Sequence, residues 1–213
     1  MAQRLILKAG VLASSDMKSL EDGNGNVPSG LILLTDFLTA SEEGDLLAFI
    51  RGIEFRTVQM HGVTAKRRIK QYGWHYAFET YRLTATDPIP NEFEAIRARS
   101  ATLAGIVASQ WAEVLVTEYA SGAGIGWHRD APAFGIVAGI SLGAACRMRF
   151  QTGVGAARMT RAIELPGRSI YLLTGEARTK WQHMITPTRG LRYSITFRTL
   201  RNPTSGGQPL SVV

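Results

Sequence analysis

The stretch 191-LRYSITFRTL-200 alternates along its length. Successive side chains of a strand point to opposite faces. Arg192, Ser194, Thr196 and Arg198 therefore share one side, and Tyr193, Ile195 and Phe197 share the other. The apolar side fits a core. The polar side, with two arginines, fits either a solvated edge or the wall of a pocket. The two arginines sit about 20 Å apart at ~3.3 Å per residue. Their long side chains can still converge on a small dicarboxylate, because a guanidinium fork grips a carboxylate through two bonds.

Upstream, the same texture recurs in 112-AEVLVTEY-119, 135-GIVAGISL-142, 146-CRMRF-150, 168-RSIYLLTG-175 and 180-KWQHMIT-186. Glycine or proline clusters separate these runs, the mark of a β-sandwich or barrel. The first half reads differently. Residues 31-LILLTDF-37 suit a buried strand. In 39-TASEEGDLLAFI-50, Thr39 precedes Glu42 by three residues, a capping box opening a helix. A second helix is expected over 90–109, with Pro90 tolerated at its start. The fold class is α+β, mainly β, with helices first and sheet second.

Apolar residues make up 45% and charged residues 19% of the 213, which excludes a disordered chain. No run reaches the eighteen or so apolar residues of a spanning helix. The apolar patches before residue 14 are broken by Lys8 and do not make a signal peptide. Cys146 is the only cysteine, which excludes an internal disulfide and a thiolate zinc cluster. A cytoplasmic monomer with no membrane contact is expected. The net charge of +7 and the pI near 9.9 suit polyanionic partners. Residues 1–27 are expected to be a tail and linker, 28–201 the domain, and 202–213 a disordered tail.

In 126-GWHRDAPAFG-135, His128 and Asp130 are two residues apart. In an extended strand they would face one point. Of the four histidines, His61, His75, His128 and His183, the last lies in the β-rich half. Two histidines and one carboxylate compose the facial triad of non-haem iron oxygenases. Zinc or manganese would accept the same donors.

Taken in order, Tyr119, His128, Asp130, His183 and 192-RYSITFR-198 form a pattern that resembles the AlkB family of Fe(II)- and 2-oxoglutarate-dependent dioxygenases. The flanks 29-SGLILLTDFLTASEE-43 and 169-SIYLLTGEARTKWQHMITP-187 share the likeness, which covers roughly residues 28 to 201. The resemblance implies a double-stranded β-helix, or jelly-roll, with flanking helices and a nucleotide-recognition lid near 54–84. It implies Fe(II) on His128, Asp130 and His183, 2-oxoglutarate as co-substrate, and O2. Arg192, helped by Tyr119, would hold the far carboxylate of 2-oxoglutarate. Arg198 would sit near its keto-acid end, with Ser194 and Thr196 lining the same face. The implied activity is oxidative dealkylation of N-alkylated bases in DNA or RNA, releasing an aldehyde, succinate and CO2.

Residues 65–82 carry the basic run Lys66, Arg67, Arg68 and Lys70, then Tyr72, Trp74, His75, Tyr76 and Tyr81. Basic groups hold phosphates and aromatic faces stack bases. Arg67, Arg68, Tyr72, Trp74 and Tyr76 are the expected substrate contacts, with Tyr72 and Trp74 as stacking platforms. Without the resemblance, the same stretch reads as a hairpin with core aromatics and a solvated charge run. Two positions depart from the family pattern. Pro132 stands where an acidic base-reading residue is common, and Thr117 where an asparagine is. The first bears on base preference and leaves the catalytic residues intact. The runs 128-HRDAPAF-134 and 174-TGEAR-178 are similar to the subgroup that acts on tRNA or proteins, which leaves open a role on modified tRNA or on a methylated protein. A catalytically silent nucleic-acid-binding jelly-roll is the remaining alternative.

Overall fold

The computed structural model describes residues 27–60, 63–77 and 82–201. His61, Tyr81 and the expected tails, Val27 excepted, lie outside the described residues. The chain begins with β1 (Leu31–Leu34), α1 (Ala40–Arg51), β2 (Arg56–Met60), β3 (Val63–Tyr72) and the short strands β4 (Trp74–Ala77) and β5 (Arg82–Ala85). Next come α2 (Glu94–Ala104), β6 (Trp111–Tyr119), β7 (Ile125–His128), β8 (Phe134–Gly143) and β9 (Cys146–Thr152). The remainder is β10 (Met159–Leu165), β11 (Ile170–Leu173), α3 (Gly175–Thr179), β12 (Gln182–Ile185) and β13 (Arg192–Leu200).

Seven strands form a sheet in the order β1-β11-β8-β13-β6-β3-β2, and four form a second in the order β10-β9-β12-β7. Together they make the double-stranded β-helix that the resemblance implied. The pairings are antiparallel, so each strand can dedicate one face to each side.

The alternation in 192–198 is consumed on both faces. Tyr193, Ile195 and Phe197 pack with Val116, Ile140 and Leu142, and with Leu46 and Ile50 of α1 and Ile96 of α2. The helices thus cover the outer face of the large sheet. Each such side chain contributes roughly 1.5–3 kcal/mol by burial. The other face lies between the sheets. Arg198 is the register partner of Val137, and Val137 belongs to the inter-sheet cluster with Met148, Phe150 and Ile163. The polar side of β13 is therefore a pocket wall. Arg192 is 1% exposed and Ser194 4%, which rules out a solvated edge.

The box at Thr39 forms as read: its Oγ1 accepts from the Glu42 N–H at 3.2 Å, and Glu42 accepts from the Thr39 N–H at 2.8 Å. The second helix is shorter than expected. It stops at Ala104 because Gly105 turns left-handed, at φ +68°, and closes the helix as C-terminal glycines do. The expected lid over 54–84 is largely sheet. Residues Arg67 to Tyr72 of β3 pair with β6 along their length. Only the β4–β5 hairpin stands apart, and it packs Tyr76 and Leu83 onto Ala131, Ala133 and Phe134.

Candidate metal centre and co-substrate pocket

His128 ends β7 and lies directly across the ladder from His183 on β12. Their rings stand 4.3 Å apart, centre to centre. Asp130 is positioned differently from the expectation. The strand stops at His128, so the pleat does not aim the carboxylate. Arg198 does: its Nε and Nη2 donate to Asp130 Oδ1 at 2.9 and 2.6 Å. Oδ2 is buried with no hydrogen-bond partner and lies 3.6 Å from His183 Nε2. A buried carboxylate oxygen left bare is costly, and a cation satisfies it.

The electrostatics suit that ion. Burial drives the His183 pKa down to about 3 and lowers that of His128. Both rings are therefore neutral near pH 7, the form that ligates metal, and the approach of His183 to Asp130 is not an ion pair. His128 Nδ1 lies 2.8 Å from the Gly126 carbonyl. That carbonyl can only accept, so the proton sits on Nδ1 and Nε2 is bare. Burial pushes the Asp130 carboxyl up, but the Arg198 charge beside it prevails and holds it well below the usual carboxylate range. Among the described residues no three His, Cys, Asp or Glu side chains form a closed ion-binding cluster as they stand. The fit rests on donor type and on the bare Oδ2: two neutral imidazoles and one ionised carboxylate are a facial-triad donor set.

At the other end of β13, Arg192 shares a row with Tyr119 of β6. Its Nε donates to Ser141 Oγ at 3.0 Å, and its guanidinium lies 4.9 Å over the Tyr119 ring. Neither neighbour is charged. Its Nη1 is buried without a partner. A desolvated cation with an unfilled donor calls for an anion, and a carboxylate matches its fork. Ser194 and Thr196 lie between the two ends, their hydroxyls 3.5 Å apart. Arg198, expected near the keto-acid end, is committed to Asp130 and, through Nη1 at 2.8 Å, to Glu113.

Two supports were not legible in the sequence. Glu113, on β6, is fully buried. It accepts from Arg198 and from Gln71 Nε2 at 3.0 Å, and Gln71 Oε1 meets Arg56 and His75 Nδ1. A chain of polar contacts thus runs from Asp130 to β4. Arg178, buried on α3, donates to the carbonyls of Ala131, Phe134 and Gly135 at 2.8, 2.7 and 2.9 Å. It pins the loop that follows Asp130. The only sequence signal for it was its place in the quoted run 169-SIYLLTGEARTKWQHMITP-187.

The expected substrate contacts divide. Arg68 faces away from the pocket, forked onto Glu118 at 2.8 and 3.0 Å. Tyr72 is buried in the helix-side core against Phe93, so it offers no stacking face. Tyr76 is buried against Phe134 beneath the hairpin. Register with β6 and the hairpin turn Tyr72 and Tyr76 into packing, while Arg68 stays half exposed in its ion pair with Glu118. Arg67 lies in the row of Tyr119 and Arg192 and within electrostatic reach of His128. Trp74 is half-buried at the hairpin.

Residues 30–198 match the family described as the 2OG-Fe(II) oxygenase superfamily. The mouse protein named tRNA (carboxymethyluridine(34)-5-O)-methyltransferase ALKBH8 is 25% identical over 94% of this chain. The Arabidopsis thaliana protein named alkylated DNA repair protein ALKBH8 homolog is 29% identical over 86% of it. The chain spans only 34% of the mouse protein and 62% of the Arabidopsis one. The solved structure of OsALKBH1 superimposes with a TM-score of 0.64 at 17% identity, covering 81% of this chain and 97% of that one.

Proposed function

The chain belongs to the 2OG-Fe(II) oxygenase superfamily, in its AlkB branch, and from that premise we propose that it oxidatively dealkylates N-alkylated bases in DNA or RNA. It is a dioxygenase that uses Fe(II), 2-oxoglutarate and O2. With these bound, 2-oxoglutarate is oxidised to succinate and CO2 while one oxygen atom enters a substrate C–H bond. A hydroxylated N-alkyl group then leaves as an aldehyde.

The observation that carries the site assignment is the pair of unsatisfied buried groups at the two ends of β13, Asp130 Oδ2 and Arg192 Nη1. His128, Asp130 and His183 hold the iron in this reading. Arg192, flanked by Tyr119, holds the far carboxylate, and Ser194 and Thr196 line the space between. Arg198 orients the Asp130 carboxylate. Holding and orienting these groups is the protein's share of the cofactor chemistry. Arg67 and Trp74 are the phosphate and base contacts in this reading, and the target base is taken from a single strand or extruded from a duplex. The mouse relative is named for a tRNA uridine, which favours modified tRNA as the second substrate class. Cytoplasmic residence is part of the same proposal. No described helix is long and apolar enough to cross a membrane.

The test is mass spectrometry of oligonucleotides carrying 1-methyladenine, 3-methylcytosine or etheno-adenine, with methylated tRNA alongside. Each is incubated with protein, Fe(II), 2-oxoglutarate and air. Loss of the alkyl group only with both iron and 2-oxoglutarate supports a dealkylase, and the Asp130→Asn variant should abolish it. Consumption of 2-oxoglutarate with every base unchanged would reject these substrates and leave the oxygenase.

A further inference from the structure

Tyr171 is the one large polar side chain that β11 sends between the sheets. It sits in the inter-sheet cluster with Phe150 and Val137, 7% exposed. Its register partner on β8 is Gly139, and the next residue in that row is Thr196 of β13. The pocket wall is therefore one strand away from Gly139. A Cβ built on Gly139 would lie 2.2 Å from Tyr171 Cζ and 2.4 Å from its hydroxyl oxygen. The far end of the phenol, not the base of its ring, thus lies across the Gly139 backbone. The ring leans from β11 over β8 toward the strip that carries Ser194 and Thr196. No other residue type at 139 leaves that space free.

The groups within electrostatic reach of the hydroxyl are Asp130, Arg192, Tyr119 and Arg198. They are the two ends of the strip. A buried tyrosine hydroxyl needs an acceptor. Arginine accepts nothing, and Asp130 Oδ2 receives no hydrogen bond. Burial keeps the phenol protonated, its pKa raised well above the ordinary value, so it remains a donor.

We infer that Tyr171 is a further co-substrate-binding residue: its hydroxyl donates a hydrogen bond to the dicarboxylate held by Arg192, and its ring, lying over Gly139, fixes the length of dicarboxylate the pocket accepts. The inference rests on the assignment of 2-oxoglutarate to the β13 strip. It adds a residue from a different strand, one that neither the strip's pattern nor the triad contains. The ring fills the volume beside Gly139, the volume that a diacid one methylene longer than 2-oxoglutarate is proposed to need.

The test is calorimetric binding to the Fe(II)-loaded full chain without oxygen, so that no turnover is needed. 2-Oxoglutarate and 2-oxoadipate, one methylene longer, are titrated into the wild type, Tyr171→Phe, Tyr171→Leu, Gly139→Ala and Arg192→Met. Tyr171→Phe keeps the ring and should weaken 2-oxoglutarate binding about tenfold, the scale of one hydrogen bond to a charged group. Tyr171→Leu should narrow or reverse the preference for 2-oxoglutarate over 2-oxoadipate. Gly139→Ala should weaken binding with Tyr171 present and cause no further loss when added to Tyr171→Leu, because the clash with the ring is then gone. Arg192→Met should lose binding of both acids. If Tyr171→Phe binds within twofold of wild type and Tyr171→Leu keeps the same preference, while Arg192→Met fails, the role of Tyr171 is overturned and the pocket assignment stands. If the wild type binds neither acid, the pocket assignment falls and takes Tyr171 with it.

Discussion

One oxygen of Asp130 is taken by a guanidinium and the other is bare, and that asymmetry sets what each residue around it does. Arg198 joins two buried carboxylates, Asp130 and Glu113. Arg198→Met leaves both desolvated without a counter-charge, which costs about 3–5 kcal/mol; urea unfolding of the metal-free protein should show that loss. Arg198→Lys keeps the charge without the fork and should lose less stability. Unchanged unfolding midpoints would reject the buttress. The histidines give a pH dependence. Folding depresses His183 to about 3, against ~6.5 in an unfolded chain. Between those values the unfolded state binds the extra proton, so stability rises with pH across this window. The metal-free protein should therefore weaken as pH falls below about 6.5, by ~1.4 kcal/mol per unit for each such group. His128 acts in the same direction. Asp130, also depressed, adds to the loss only below ~3.9. Thermal melts at pH 7.5, 6.5 and 5.5 would read it, and a flat profile would contradict neutral buried rings. His128, His183 and Arg192 were legible because residue type and order carried them. Glu113 was not. A charge in an alternating strand reads the same whether it faces water or an arginine 85 positions away.

At the scale of elements, what was legible was local. The box at Thr39 needs only residues three apart, and it formed as written. The runs at 112–119, 146–150 and 192–200 became strands because alternation is itself the signal. The strand Met159–Leu165 went unread, and β7 proved too short to include Asp130. That Tyr72 is buried was not legible, because its face depends on how β3 registers against β6, which no local pattern contains. The loop from Ala131 to Gly135 has no regular ladder through its first residues and depends on Arg178. Arg178→Ala removes the donors of its three carbonyls and should cost about 2–4 kcal/mol, at roughly 1 kcal/mol per hydrogen bond and more where a buried group is left bare. Amide exchange in residues 131–135 should accelerate and Fe(II) affinity fall. Loop protection equal to wild type would show that the hairpin above it suffices.

At the scale of the molecule, the separated β-runs led to a sandwich or barrel and the family resemblance to the jelly-roll, but strand order did not follow from either. β1 pairs with β11 across some 140 positions of chain, Leu31 meeting Leu173. Such closures follow from packing, not from nearby residues. The +7 charge belongs to this scale too. If two or three phosphates are neutralised, raising monovalent salt from 50 to 200 mM should raise KM for a single-stranded oligonucleotide about tenfold. KM for 2-oxoglutarate, read in the same assays, should stay nearly constant because Arg192 is buried and poorly screened. Equal salt effects on both would argue against a nucleic-acid substrate.

β13 lies between β8 and β6, at the middle of the large sheet, yet it is the last strand described along the chain. Until it is synthesised, β1, β11 and β8 on one side and β6, β3 and β2 on the other have no ladder joining them. Each half presents a long open edge, the kind that recruits other chains. Strand insertion at the centre is a late, long-range step, and such steps are slow and exposed to aggregation. The ribosome must therefore release residue 200 before the protein has a closed sheet. A message truncated after codon 190 should yield insoluble protein, not a partly active one.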